Sequence, residues 1–367
     1  MKPTVSRSAF GKAANGASVD VFTLSSGTGA QVRVTNLGAA VVAIEVPDRE
    51  GRLGDIVLGY DDADGYASDP YYLGVVVGRY ANRIAKGRFA LSGVEYELPI
   101  NNMGNHLHGG PAGFHTRLWT AESFVRPDAV GVALRLRSHD GDQGYPGNLD
   151  VSVVYTLEGS ESLRVDYSAV TDRPTVVNLT QHSYFNLNGA GAPTVLDHWL
   201  WMSSQGFTPV DETSIPLGPI APVEGTPFDF RTPRPVGDHI DAADEQLRRT
   251  GGYDHNWVLD GEPGALRPAA RLFSPASGRV LDVLTTEPGI QMYAGNCLVG
   301  PIRGKGGASY QRRSALCLET QHYPDSPNQP GFPSAALLPG ATYSSTTVFR
   351  FSAVEAETWP SGPITPA

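Results

Sequence analysis

The chain predicts an all-β fold, a large antiparallel β-sandwich, on three observations. Apolar residues alternate along strand-length runs, 42 glycines and 29 prolines punctuate the chain, and helical periods are scarce. In "VGVALRLRS" the side chains of Val130, Val132, Leu134 and Leu136 fall on one face of a strand, because successive residues point to opposite faces. Leu163, Val165, Tyr167 and Ala169 repeat the pattern just after the turn-like "EGSES" at 158–162. Two such runs and a short polar turn predict a hairpin.

Further strands are expected in "QVRVTNLGAAVVAIEVPD", "DIVLGYD", "GRFALSGVEYELP", "RVLDVLTTEPGIQMYAG", "SALCLETQ" and "TYSSTTVFRFSA", spread along the chain. The helices expected are short, such as "DAADEQLRR" at 241–249. A parallel sheet needs a crossover of roughly a dozen residues or more between strands, usually helical, and the sequence does not supply them.

At 367 residues the chain exceeds a typical domain, yet large β architectures run long as one unit. No repeat, low-complexity tract or long linker divides it. The proline-rich segment 215–235 is the best candidate boundary, but strands and polar clusters continue on both sides. It is expected to be an ordered surface loop within a single domain spanning 1–367.

Hydrophobic residues make up 40% and charged residues 18%, and 28 basic against 38 acidic side chains give a net charge of -10. No basic patch recruits nucleic acid or anionic lipid. Cys297 and Cys317 are too few for a disulfide framework and lack zinc-site spacing, which suits a reducing, cytoplasmic location. No window reads as a signal peptide or a membrane span.

Three tempting patterns fail. "GTGA" at 27–30 has no helix to follow. In "DDADG" at 61–65, counting back from the glycine puts Tyr60 where a calcium loop needs an acid. "NLT" at 178–180 matters as a glycosylation sequon only in a secreted protein.

What remains is a set of polar clusters in or beside strands: "GRYANR" at 78–83, "NHLHGG" at 105–110, "NLTQHSYFNL" at 178–187, "YDHNWVL" at 253–259, "EPGIQMYAGN" at 287–296 and "CLETQHYPD" at 317–325. Their mixture of Arg, Asn, His, Asp, Gln and Glu suits a hydroxyl-rich ligand, which needs donors and acceptors at fixed positions. Glu319, flanked by Leu318 and Thr320, is the best general-base candidate, because a shielded carboxylate exchanges protons near neutrality. A solvated edge glutamate is the alternative. His182 can give and take a proton near pH 7, with Tyr184 and Phe185 as candidate pocket walls. Metal binding is the rival reading for His106, His108, His182 and His322, although no HExxH or cysteine pair supports it.

In this order the clusters resemble the aldose 1-epimerases. The resemblance also takes in "VTNLGA", "LPINN" and "DGDQGYPG", and covers nearly the whole chain. It implies a galactose mutarotase-like supersandwich, a free monosaccharide substrate such as galactose or glucose, and neither metal nor cofactor. A monomer or homodimer is expected. It further implies that Glu319 is the base for the sugar's C1 hydroxyl and His182 the acid for the ring oxygen. Asn82, Arg83, His108, Asp254 and Gln291 would hold the sugar, with His108 also supporting proton transfer and His106 supporting its loop. Two departures stand out: Gln181 where an Asn is usual, and "RRSA" at 312–315 where a Gly-Phe pair is expected.

Other functions remain open on the residues alone. A glycoside hydrolase would pair Glu319 with Asp254. A non-catalytic sugar-binding protein would use the same scaffold without the chemistry. An epimerase for phosphorylated sugars would want a basic cluster that the motifs, apart from Arg83, do not offer.

Overall fold

In the computed structural model, the described residues are 2–27, 29–159, 161–300, 302–355, 358–360, 362 and 364. Two antiparallel sheets build the sandwich. The nine-stranded sheet runs, in spatial order, Thr120–Val125, Ala129–Ser138, Leu149–Glu158, Ser162–Thr171, Tyr343–Ala353, Arg279–Thr285, Arg267–Phe273, Trp199–Met202 and Arg234–Pro235. The six-stranded sheet runs Tyr184–Phe185, Leu316–Gln321, Gly289–Tyr293, Asp254–Leu259, Ser204–Thr208 and Ala221–Pro222. The first five strands, from Thr4–Lys12 to Leu53–Asp55, form a five-stranded sheet, and the remaining strands pair as small two-stranded ribbons.

Alternation assigns the two faces of the six-stranded sheet. Leu316, Leu318, Ile290, Met292, Trp257 and Leu259 turn inward and join one core with Val151, Val153, Val165, Leu281, Val283 and Phe349 from the nine-stranded sheet. Phe185 packs on Phe349 with ring centroids 5.4 Å apart. The residues between them in sequence point the other way: Cys317, Glu319, Gln321, Gln291, Tyr293, Asp254 and Asn256 form a polar face. Register sets them in rows, with Asn256 opposite Gln291 and Gln291 opposite Glu319.

The runs at 130–138 and 163–169 are not neighbours, because Leu149–Glu158 lies between them and pairs with both. Residue 160 of the predicted turn lies outside the described residues, as does residue 28 of "GTGA". "QVRVTNLGAAVVAIEVPD" divides into the paired strands Gln31–Thr35 and Val41–Pro47. "RVLDVLTTEPGIQMYAG" also divides, sending Arg279–Thr285 and Gly289–Tyr293 to different sheets. In "DIVLGYD" only Asp55 belongs to a strand, and Val57 makes an isolated bridge to Phe185.

The helix expected over 241–249 is shorter and later, Glu245–Thr250, because the Asp244 side chain caps the N–H groups of Gln246 and Leu247. The "DDADG" stretch opens another short helix, Ala63–Ala67, capped by Asp62. The proline-rich segment is ordered but not merely superficial. Phe228 and Phe230 are 1% exposed and belong to the core, where Phe228 stacks on Phe207 at 4.2 Å.

Candidate active site

The polar face of the six-stranded sheet forms the floor of an open cleft. Loops from the other parts of the sandwich wall it. The cleft brings together Asn82, Arg83, His108, His182, Asp254 and Glu319, with Asn102 and Tyr72 among the neighbours. Gln291 lies in the floor beneath them, its Nε2 donating to Asp254 Oδ1 at 2.7 Å.

Glu319 is 2% exposed, and its Oε2 is 3.5 Å from His182 Nε2. Burial pushes its carboxyl well above the ordinary carboxylate range, and nearby Asp254 adds to the shift while Arg83 opposes it. Burial likewise raises Asp254, against the pull of Arg83 and Gln291. It lowers His182 to about 4. Burial therefore favours the neutral forms of both members of the Glu319 and His182 pair, with one proton between them.

The backbone fixes His182 from both sides in sequence. His182 N–H donates to Val75 O at 2.9 Å, and Gly74 N–H donates to His182 O at 2.9 Å. Gln181 braces the same junction: its Nε2 donates to Gly74 O at 2.7 Å and its Oε1 accepts from Ser183 N–H at 2.9 Å. The amide that departs from the family pattern is thus fully used beside the site. In the other departure, Arg313 pairs with Asp241 at 2.6 Å and Arg312 donates to Gly251 O at 2.8 Å. Together they tie the 241–251 loop to the turn at Gly295, near the rim residue Cys297.

Arg83 is 8% exposed, and its Nε donates to Asn102 Oδ1 at 3.2 Å. Asn82 and His108 both take positive φ, 63° and 53°, strain of a kind that concentrates at functional sites. The Asn82 N–H donates to His108 Nδ1 at 3.1 Å. A neutral imidazole has one N–H, so the His108 proton resides on Nε2.

That tautomer bears on the metal reading. One ligand atom from each of His108, His182 and Glu319 lies within 4.8 Å of the others, which is the right order of proximity. Ligation needs a lone pair, however, and the Asn82 N–H already occupies the one His108 has free. The set does not fit a metal and suits hydrogen bonding to hydroxyls. The other two histidines of that reading lie elsewhere. His106 sits between Pro99 O and the Tyr145 hydroxyl, 2.8 Å from each. His322 pairs with the buried Glu287 at 2.7 Å.

Sequence reasoning overlooked two contributors. Tyr72 packs against His108 and lines the cleft, and its segment "DPYYLG" carries no polar signature. Asn102 was quoted within "LPINN" without a role. Of the two expected walls, Tyr184 lines the cleft, while Phe185, one residue on, turns into the core. His255, beside Asp254 in sequence, also faces away and packs on Phe228 at 4.7 Å.

A family model described as aldose 1-epimerase matches residues 20–350. The chain is 47% identical to the galactose mutarotase of Mus musculus over 350 residues, covering 95% of this chain and 99% of that one. It is 37% identical to the aldose 1-epimerase of Escherichia coli (strain K12), covering 91% and 95%. Among solved structures, galactose 1-epimerase from Lactobacillus acidophilus NCFM superposes with a TM-score of 0.85 at 29% identity, covering 96% of this chain and 99% of that one. An aldose epimerase homologue from C. elegans gives 0.80 at 32% identity, covering 90% and 97%.

Proposed function

The chain belongs to the aldose 1-epimerase family and is a mutarotase, and from that premise we propose that Glu319 and His182 carry the proton transfers on a free aldohexose. The carrying observation is the pair itself: a carboxylate oxygen and an imidazole nitrogen 3.5 Å apart in an open cleft lined by polar side chains. Glu319 takes the proton from the C1 hydroxyl as the bond from C1 to the ring oxygen breaks. His182 gives its proton to that oxygen, and C1 becomes an aldehyde. Rotation about the C1–C2 bond presents the other carbonyl face, and closure with proton flow reversed yields the other anomer. Each group therefore serves as acid and as base within one turnover.

Burial acts oppositely on the two halves of this cycle. Ring opening starts from a carboxylate and an imidazolium and ends with a carboxylic acid and a neutral imidazole. A low-dielectric site disfavours the charged forms, so the shifts on Glu319 and His182 both draw protons toward opening. Arg83 opposes the rise on Glu319 and keeps its carboxylate accessible. Asn82, His108, Asp254 and Gln291 bind the sugar hydroxyls, His108 as an Nε2–H donor.

Polarimetry on freshly dissolved α-D-galactose and α-D-glucose tests the reading, with a protein-free blank and parallel runs in EDTA. Accelerated relaxation that survives EDTA supports it; acceleration abolished by the chelator would sink the metal-free mechanism. Galactose is the proposed preferred sugar, and a higher kcat/KM on glucose would reverse that choice.

The pH profile follows from the shared proton. Below about pH 4 His182 gains a second proton for the pair and no base remains. Above the raised titration of Glu319 the pair is empty and no acid remains. After subtraction of the blank, kcat/KM is expected to be bell-shaped with an acid limb near pH 4, far below the ~6.5 of a solvated imidazole. A limb at pH 6–7 would show that His182 is not the titrating group or is not buried in solution.

Arg83→Ala should leave Glu319 and Asp254 without their opposing positive charge. Loss of about tenfold or more in kcat together with a raised KM is expected, because the guanidinium acts on binding and on charge in the reaction. Unchanged constants would remove Arg83 from the site.

We further propose one domain across 1–367, a monomer or homodimer without nucleic-acid or membrane partners, and a cytoplasmic location. One hydrophobic core cluster with members from Phe22 to Phe351 supports the first. No described helix is long and apolar enough to cross a membrane, and Cys297 and Cys317 are free thiols.

A further inference from the structure

We propose that Tyr72 is a positioning residue of the reaction: an Asp69-anchored loop holds its ring against His182 and His108, fixing both imidazoles and closing that flank to water. The proposal deepens the acid-base assignment above and rests on it for its kinetic part alone.

Three independent features converge on Tyr72. The first is its backbone, at φ 62°, a conformation that is a genuine outlier for a bulky residue. The second is the anchor that maintains it. The Asp69 carboxylate accepts from Tyr71 N–H at 2.9 Å, from Leu73 N–H at 2.6 Å and from the Tyr60 hydroxyl at 3.0 Å. The donors on either side of Tyr72 are thus tied to one half-buried carboxylate, so the residue between them has little freedom. Two residues on, Gly74 makes the backbone contact to His182. A side chain at Gly74 would meet Val41 O at 2.2 Å, so the close passage of the loop requires glycine.

The third feature is where the ring lands. It meets His108 edge-on with centroids 4.7 Å apart, meets His115 in the same way at 4.7 Å, and stacks on His182 at 6.0 Å and 27°. Tyr184 also stacks on His182, at 5.2 Å and 28°. His182 is therefore faced by Glu319 at Nε2, by Cys317 Sγ at 3.5 Å from Nδ1, by His108 edge-on at 5.2 Å and by the two tyrosine rings. His115 adds a weak electrostatic contribution of the same sign as burial. Tyr72 comes from the anchored loop that lines the cleft, and it shields the imidazole without sharing its protons.

The ring, not the hydroxyl, performs this role. Two variants separate the possibilities: Tyr72→Phe keeps the ring, and Tyr72→Ala opens the flank. The first readout is the titration of the His182 imidazole by NMR in sugar-free protein, which does not depend on whether His182 is the acid. In Tyr72→Ala its midpoint is expected to rise by at least one pH unit toward the solvated value, and in Tyr72→Phe to stay at the wild-type position. The second readout is kinetic: Tyr72→Ala should lose about tenfold in kcat with the acid limb moved up in parallel, and Tyr72→Phe should retain both. A thermal melt of each variant shows whether it is folded, and Tyr72→Leu replaces Tyr72→Ala if the latter unfolds. An unmoved His182 titration in the folded Ala or Leu variant would overturn the proposal, as would a Phe variant that behaves like Ala. A moved titration with unchanged kcat would leave the shielding intact and count against the acid assignment instead.

Discussion

Glu319→Gln is expected to lower kcat at least a hundredfold while leaving the fold and the sugar affinity within a few-fold of wild type. A hundredfold corresponds to about 2.7 kcal/mol of transition-state stabilisation, within the ~10²–10⁴ that a positioned acid or base supplies. The amide is chosen for its shape. Glu319 is 2% exposed in the middle of a paired strand, so truncation to Ala would leave a cavity and blur chemistry with packing. Gln fills the same space and can still bond a hydroxyl, but it cannot accept the C1 proton and pass it back. Activity within tenfold of wild type would move the base elsewhere, and Asp254 would be the nearest alternative. Its carboxylate is raised by burial but already accepts from Gln291, which suits a residue that holds the sugar. A double substitution with Asp254→Asn would then separate the two.

The sequence showed the sandwich where strands are half-buried and hid it where they are not. In Leu316–Gln321 alternation is plain, because Leu316 and Leu318 belong to the core and Glu319 to the cleft. In Thr4–Lys12 only Phe10 is buried, so no apolar rhythm marks that edge strand. Asp254 and His255 look alike in "YDHNW", yet one faces the cleft and the other the aromatic core; strand parity separates them only once the register is known. The polar partners of the site were legible as residue types because a sugar demands donors and acceptors. Tyr72 was not, since its place depends on a left-handed backbone and on an Asp69 contact that local pattern does not reveal. The tautomer of His108 likewise rests on a single N–H from Asn82, a contact between segments 26 residues apart.

His182→Asn is the second large effect expected, again a loss of at least a hundredfold in kcat, and it discriminates between the two cleft histidines. His108 lies close by, with ring centroids 5.2 Å apart, and by proximity either could serve the ring oxygen. Their hydrogen bonds differ. His108 is committed at Nδ1 to the Asn82 N–H, so taking a second proton would mean breaking that contact, and burial with the neighbouring His182 and Arg83 opposes the charge further. His182 has Nε2 against the Glu319 carboxyl, the partner that makes a net-neutral exchange of protons possible. Asn at 182 keeps a polar group of similar reach but cannot ionise. Residual activity in this variant should therefore lose the acid limb near pH 4, whereas His108→Asn should weaken sugar binding and keep the limb. Retention of the limb in His182→Asn, with its loss in His108→Asn, would exchange the two assignments: His108 would be the acid, and His182 a ring that holds the sugar in place.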